Sequence, residues 1–507
     1  MNKNILLAIA SGLLLGMPFC IPPLFFLIFF AWIPLLWLEE KTIDHHNPYI
    51  LFNYAFLSFL VWNILAYWWV GKAQITGVIL IILINSLLLA LIFWLISRTR
   101  KNLKIAILFP FLLIWLGFEY FDTWWDLAWP WLNFGNAFAS VPKWVQWYEF
   151  TGTRGGSLWV ILLNLGFFSL FKNRKKNIVF RSIGMFLLIG IPLLYSIFLY
   201  HQKENVTGSK SFALIQPNLD PYTEKFVPDY EEKHFADFMT TADSICSILH
   251  PDFLFAPETV ILTSIDENQP KQSSNYLQLL DLKKKYPKTK IFIGTQSNIE
   301  SESFNSALFL TDTTAPQFYH KTKLVPLFER VPFDKYLSFL KDYSLEIGGY
   351  QGTYSSKNDI DYFLSDSTAL VPVVCFESIF GDYCAQRVPE IPGFLCMITN
   401  DGWWKTTPGY KHHFNFSRLR AIETHRNYIR VANNGISAYI NSKGTIVAKT
   451  KWWKKTVLTG QLKLIKEKTF YSEHGDYIGR VCLFIATLLL IFVKIRVTIQ
   501  SNVTKRT

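Results

Sequence analysis

Three short segments of the chain each present a side chain that can do chemistry just after a strand-like run. Phe253-Leu254-Phe255-Ala256-Pro257 leads to Glu258, Tyr319-His320 leads to Lys321, and Leu370-Val371-Pro372-Val373-Val374 leads to Cys375. Singly, each has an ordinary explanation. A carboxylate after a strand is commonly a solvated end or a helix cap, a loop lysine commonly faces water, and a cysteine after two valines is commonly core. Together they form an acyl-transfer set. A thiol attacks a carbonyl as its thiolate. Glu258 can take that proton and return it to the leaving group, and Lys321 can stabilise the oxyanion of the tetrahedral state. Lys323 shares the segment of Lys321, and the pattern alone does not choose between the two.

For residues so far apart in sequence to meet, rigid elements must bring them together. Short apolar runs bounded by polar or turn residues predict strands at Phe212–Gln216, Phe253–Ala256, Lys290–Gly294, Ala307–Leu310, Ala369–Val374, Phe394–Ile398 and Ser437–Ile440. Helical spacing runs through 229–249, 273–286 and 412–430. This alternation predicts an α/β sandwich with buried sheets over 201–477.

The remainder is far more apolar. Of 507 residues, 50% are hydrophobic, and mean hydropathy is +0.20. Judged against the roughly 20 residues needed to cross a bilayer, about eight spans can be drawn, near 4–18, 21–38, 50–70, 75–97, 103–121, 157–171, 178–200 and 478–494. Pro18, Pro22 and Pro23 punctuate the first two. Residues 1–200 then form a transmembrane bundle of about seven helices, 201–477 the catalytic domain, and 478–507 a final span with a basic tail. Arg98, Arg100, Lys101 and Lys104, then Lys172, Arg174, Lys175 and Lys176, then Lys494, Arg496, Lys505 and Arg506 make three basic clusters. With this span count all three fall on the side of the N-terminus, which the positive-inside rule makes cytoplasmic. The opposite side, periplasmic in a bacterial inner membrane, receives 201–477 and a loop at 121–156. That loop holds Trp124, Trp125, Trp129, Trp131, Trp144 and Trp147. Its first reading is an aromatic belt at the membrane interface, its second a lipid-facing lip of the site.

Lys3, an apolar run and Cys20 imitate a lipoprotein signal, but Pro18-Phe19 before the cysteine are unsuited to cleavage, so a retained first helix is expected. The formal charge of +12 follows in large part from the basic loops beside the spans, and no nucleic-acid-binding module is present. Cys20 and Cys482 lie in apolar spans as packing residues. Cys246, Cys384 and Cys396 leave a disulfide open.

The order Glu, Lys, Cys resembles the nitrilase (carbon–nitrogen hydrolase) superfamily, and the detail resembles the apolipoprotein N-acyltransferases within it. The matching pieces are Leu214-Ile215-Gln216-Pro217-Asn218, Pro257-Glu258, Tyr319 through Pro326 with Glu329-Arg330-Val331-Pro332, Cys375-Phe376-Glu377, Thr399 through Trp404, His413-Phe414, Arg418 through Glu423, and Asn433 through Ile436. Pro130 through Gly135 in the Trp-rich loop also resembles the family. The resemblance implies a polytopic helical membrane bundle carrying a nitrilase-like α/β sandwich. It implies Cys375 as nucleophile, Glu258 as base and Lys321 as oxyanion stabiliser, with supporting roles for Glu329, Glu377, Phe376 and Phe226. It also implies a ping-pong reaction. An acyl chain passes from a phospholipid to the cysteine as a thioester, then to the α-amine of a diacylglyceryl-cysteine lipoprotein, with no metal or organic cofactor and no nucleic acid. The chain departs from the family pattern at Leu327-Phe328 before the second glutamate, at Phe376 where a tyrosine is usual, and at Phe226 where a tryptophan follows the lysine. A membrane-tethered amidase with water as acceptor shares the triad. A binding protein with a decayed site is disfavoured because all three residues are present. Asn400-Asp401-Gly402 and Asn434-Gly435 read as turns. Arg418, Arg420 and Glu423 read equally as a salt-bridged helix face or as shaping the site.

Overall fold

The structure, a computed structural model, describes residues 2–173, 177–225, 231–312, 315–333, 336, 354–358 and 360–504. It divides into two compact units, one of Met1–Gly71, Ile75–Leu199 and Asp476–Thr507, the other of Lys72–Gln74 and Tyr200–Gly475.

Among the described residues of the first unit and its flanks, 7 helices are long and apolar enough to cross a membrane: Lys3–Cys20, Pro22–Thr42, Ile50–Lys72, Ile75–Leu103, Tyr148–Lys172, Ile178–His201 and Tyr477–Asn502. A shorter apolar helix, Leu108–Phe121, has 14 residues. The prolines act unequally. Pro18 stays inside the first helix. Pro22 and Pro23 open a 3-10 stretch to Phe29 before α-helix resumes at Ile33, because proline lacks the N–H an α-turn uses. Glu40 accepts from both Arg100 and Lys172, and Lys101 lies 3.3 Å from Asp44. Basic residues of two clusters therefore sit at one end of the bundle. The Trp-rich segment packs in large part against its own unit. Of its six tryptophans only Trp124 is exposed. Trp131 lies against Trp69, ring centroids 5.2 Å apart, and Phe134 stacks on Trp115 at 5.1 Å.

The second unit contains thirteen strands: β1 (Val206–Gln216), β2 (Phe253–Phe255), β3 (Ile261–Asp266), β4 (Lys290–Ile299), β5 (Glu302–Leu310), β6 (Gln317–His320), β7 (Phe363–Ser365), β8 (Thr368–Val374), β9 (Gly393–Thr399), β10 (Asn427–Ala432), β11 (Ala438–Ile440), β12 (Ile446–Lys449) and β13 (Thr456–Ile465). One half-sheet runs β13-β1-β2-β4-β5-β6 with β3 on β4, the other β12-β11-β10-β9-β8-β7. They join through the pair Ile465–Gly393. A core between them holds Leu214, Phe255, Phe292 and Phe309 from one half and Val374, Phe394, Ile398 and Val431 from the other. Helices Glu231–Leu249 and Ser274–Lys285 cover the first outer face, and helix Pro408–Thr424 the second. The result is a four-layer α/β sandwich.

β1, β2 and β4 are parallel, and so are β8, β9 and β10. β5 reverses the direction and β6 restores it. Glu258 after β2 and Lys321 after β6 thus leave one half-sheet at the same edge, and Cys375 leaves the other after β8. Carboxyl ends of such strands are where α/β folds place ligands.

The helix expected over 412–430 ends at Thr424, where His425 takes φ 47, and Asn427–Ala432 is instead strand β10. All six cysteines are free thiols. Cys246, Cys384 and Cys396 sit in three different core layers, which explains the absence of a bridge among them.

Candidate active site

Cys375 directly follows β8 at φ 49, a left-handed backbone that non-glycine residues adopt rarely. The sharp turn lifts the thiol off the strand and starts a 3-10 turn through Ile379. Glu377 ties this turn to the lysine segment. Its carboxylate, wholly buried, accepts from Val374 N at 2.8 Å, Thr322 N at 2.7 Å and the Tyr319 hydroxyl at 2.6 Å. The Arg387 guanidinium lies over the Tyr319 ring at 4.7 Å. Glu377 thus fixes the two segments to each other.

Lys321 is 1% exposed. Its Nζ donates to Glu329 Oε1 at 2.7 Å and lies 3.6 Å from Glu258 Oε1. Asn305, on β5, donates to both carboxylates, at 2.8 Å to Glu258 and 3.3 Å to Glu329. Glu329 is set by its own loop, its second oxygen accepting from Val325 N at 2.8 Å. Leu327, one of the departures from the family pattern, makes that loop with φ 71. Lys323 points elsewhere, its Nζ 5.1 Å from the centre of the Phe380 ring. The geometry therefore separates the two lysines that the sequence pattern left equivalent. Burial opposes the charge on Lys321, but Glu329 and Glu258 outweigh it and raise its ammonium well above the usual lysine range.

Burial, then Glu258, push the Cys375 thiol far above the ordinary cysteine range, against the pull of Lys321 and a hydrogen bond with Thr399. The resting group is a thiol, so attack on a carbonyl needs a base at that moment. Glu258 and Lys321 both act on the ionisation of this thiol.

The Cys375 turn is braced from behind. Arg420, fully buried, donates to Ile379 O at 3.1 Å and pairs with Glu423 at 2.8 Å. The pair is thus a salt bridge on one helix face, buried, that also braces the Cys375 turn. His413 links the Cys375 carbonyl, 3.1 Å from Nε2, to Asp401, 2.9 Å from Nδ1. Burial disfavours ionised Asp401, yet Arg430 at 2.8 Å and His413 hold its carboxyl below the usual range. Asp401 is thus a buried anion, a role beyond the turn expected of it. Phe376 is buried edge-on to Phe380. Phe226 lies outside the described residues. Asn305 and Lys225 belong to the same surroundings and were missed by pattern reading. Asn305 lies in the polar first half of β5, before the apolar run at Ala307–Leu310, and nothing local marks either residue as buried. Among the described residues no group of three or more His, Cys, Asp or Glu is arranged to hold a metal ion.

The sandwich defines a carbon–nitrogen hydrolase domain, and the carbon-nitrogen hydrolase family model matches residues 252–468. The model of the apolipoprotein N-acyltransferase N-terminal domain matches residues 11–166. An apolipoprotein N-acyltransferase from Chlorobaculum tepidum is 30% identical over 98% of this chain and 97% of its own length. One from Geobacter metallireducens is 25% identical over 95% and 93%. A CN-hydrolase superfamily protein of solved structure, from Xanthomonas campestris, aligns with 53% of this chain and 94% of its own at 18% identity, with a TM-score of 0.37. The chain belongs to the apolipoprotein N-acyltransferase family. It is an acyltransferase and a multi-pass membrane protein.

Proposed function

We propose that this enzyme moves an acyl chain from a phospholipid to the α-amine of a diacylglyceryl-cysteine lipoprotein through a thioester on Cys375. The observation that supports it is a buried thiol on a left-handed turn beside the Glu258–Lys321 pair. In the first step the Cys375 Sγ–carbonyl bond forms and the sn-1 ester C–O bond breaks. The thiol proton passes to Glu258 and then to the departing lysophospholipid oxygen. In the second step the lipoprotein amine attacks the thioester, Glu258 takes the ammonium proton, and it returns to the leaving thiolate. Lys321 faces the oxyanion in both steps. Glu329 holds the Lys321 ammonium, and Glu377 holds the turn that carries the thiol.

The same reading sets the basic ends of the bundle in the cytoplasm of a bacterial inner membrane and the 201–477 domain in the periplasm. A cysteine introduced at Lys101 should then be shielded from an impermeant thiol reagent in cells with a permeabilised outer membrane, while one at Lys284 should react. Labelling at both positions would remove this orientation. Lys175, an equivalent position in the second basic cluster, lies outside the described residues.

The chemistry is tested by intact-protein mass spectrometry. Incubation with phospholipid should add one acyl mass to the protein, and a diacylglyceryl-cysteine peptide should then remove it while gaining that mass. Release of free fatty acid at one rate, with or without peptide, would make the enzyme a hydrolase.

A further inference from the structure

A second buried lysine closes on the same residues. Lys225 follows β1 on a stretch that Asp220 folds back on itself. The Asp220 carboxylate accepts from Tyr222 N at 2.8 Å, and its carbonyl accepts from Lys225 N at 2.8 Å. The Lys225 side chain turns inward and is 2% exposed. Its Nζ donates to the Glu258 carbonyl at 2.9 Å and to Thr259 Oγ1 at 2.6 Å. Thr259 is a β-branched residue at φ 49, a conformation that such residues avoid unless their surroundings impose it. The underside of this turn rests on Gly294, where a Cβ would fall 2.5 Å from Glu258 Cα. The turn that aims Glu258 is therefore held from below by a glycine and tied by an ammonium.

Charge gives this ammonium a second use. Glu258 and Glu329 bring two negative charges against one on Lys321. A thiolate or an oxyanion beside them adds another, in surroundings where burial makes uncompensated charge expensive. We propose that Lys225 is a positioning residue of the transfer reaction: it fixes the Glu258 turn and supplies the counter-charge for the anion that appears when Cys375 gives up its proton. The groups around it are Glu258 after β2, Cys375 after β8 and, through Glu258, Lys321 and Glu329; Asp220, Tyr222 and Glu224 lie on its own turn. Burial draws the Lys225 ammonium down to about 8, while Glu258 and Cys375 hold it up, so it stays largely charged at neutral pH.

The inference rests on the proposed function only in taking Cys375 as nucleophile, and its test needs no lipid. The full chain, purified in detergent, is treated with iodoacetamide from about pH 6 to 10, and label on Cys375 is followed by peptide mass spectrometry. Lys225→Gln keeps a donor but loses the charge. It should alkylate about tenfold more slowly at neutral pH, since tenfold in ionisation is one pKa unit, and the gap should close above about pH 8, where the wild-type Lys225 gives up its own proton. Lys225→Arg keeps the charge and should stay within about threefold of the wild type on the same scale. A wild-type profile in Lys225→Gln overturns the proposal. So does a Lys225→Arg protein that melts at the wild-type temperature yet has lost about tenfold, and this arm stands even if the neutral variant fails to fold. A wild type that alkylates as expected but forms no acyl adduct with phospholipid would sink the acyl-transfer reading and leave this one intact.

Discussion

Two buried ion networks in this chain share a plan and differ in what is left over. In the catalytic unit Lys321 lies between Glu258 and Glu329. In the membrane unit Arg154 lies between Glu119 and Asp476. Each sets one cation against two carboxylates. Arg154 uses its fork fully, donating to Asp476 at 2.8 Å, to the Glu119 carboxylate at 3.1 Å and to the Glu119 carbonyl at 2.6 Å. Glu119 also accepts from Phe134 N at 3.1 Å and the Trp115 indole at 3.3 Å. That network joins helix Leu108–Phe121, helix Tyr148–Lys172 and the start of the last helix. Lys321 is a point charge on a flexible stem, and its approach to Glu258 at 3.6 Å is an ion pair beyond hydrogen-bond length. A thiol on a left-handed turn completes the second network; the thiol beside the first, Cys482, is held inside the last helix and has no such turn. An arginine that donates from all three of its nitrogens holds helices together; in the proposed mechanism the looser ammonium leaves Glu258 free to exchange a proton with the thiol.

The sharpest way to break this comparison is to remove the thiol. Cys375→Ala should abolish the acyl adduct, with transfer falling on the order of 10⁶-fold, as when other covalent nucleophiles are removed. Its melting temperature should hardly move, because the Arg154 network is untouched. An acyl adduct at the wild-type level would dissolve the distinction between the two networks. Glu258→Gln, which keeps the thiol and loses the base, should form the adduct very slowly.

Cutting the cation out of the membrane network should do the reverse. Arg154→Leu strands Glu119 and Asp476, both buried. Losing one partner of a buried ion pair costs about 3–5 kcal/mol, read as a lower melting temperature in detergent. The fraction that remains folded should form the Cys375 adduct at the normal rate. Unchanged melting with lost adduct would reverse the roles given to the two networks. Lys321→Ala, the matched cut in the catalytic unit, should slow transfer on the order of 100- to 1,000-fold, the typical loss for one oxyanion donor.

The two networks were also unequally legible. Glu258 and Cys375 stood out because each follows an apolar run that becomes a buried strand, whereas Lys321 follows the mixed run Gln317–His320 and stood out only through its match to a family motif. The sandwich was readable wherever strands are continuous apolar runs such as β8 and β9. It failed where the pattern was alternating or charged. β13, Thr456–Ile465, buries alternate residues only toward its end, so it offered no run to detect. β10 carries Arg430, which extended the basic helical spacing of 412–430. That arginine is buried and paired with Asp401, so its charge says nothing about exposure. Arg154, Glu119 and Asp476 lie at the ends of apolar stretches, where charged residues are expected anyway, and their burial is a property of the packed bundle alone.

The smallest expected effect discriminates most finely within the catalytic unit. Lys323 has the same side chain as Lys321 and lies in the same segment, yet its surroundings differ. Its ammonium stands 5.1 Å from the centre of the Phe380 ring and 5.8 Å from that of Tyr383. Burial, only partly offset by Glu377 and Asp382, lowers its affinity for a proton. Its backbone N–H also donates to Glu377, at 3.3 Å, and alanine keeps that bond. Lys323→Ala therefore removes a cation–π contact worth about 0.5–1 kcal/mol, with no loss of an oxyanion donor. Transfer should stay within about fivefold of the wild type, since 1 kcal/mol is roughly a factor of five, and the melting temperature should drop slightly. Measured beside Lys321→Ala in one acyl-transfer assay, the pair isolates what position alone contributes to a lysine. A dead Lys323→Ala with a nearly normal Lys321→Ala would move the oxyanion donor to the other lysine, and with it the centre of the site toward Phe380 and Tyr383.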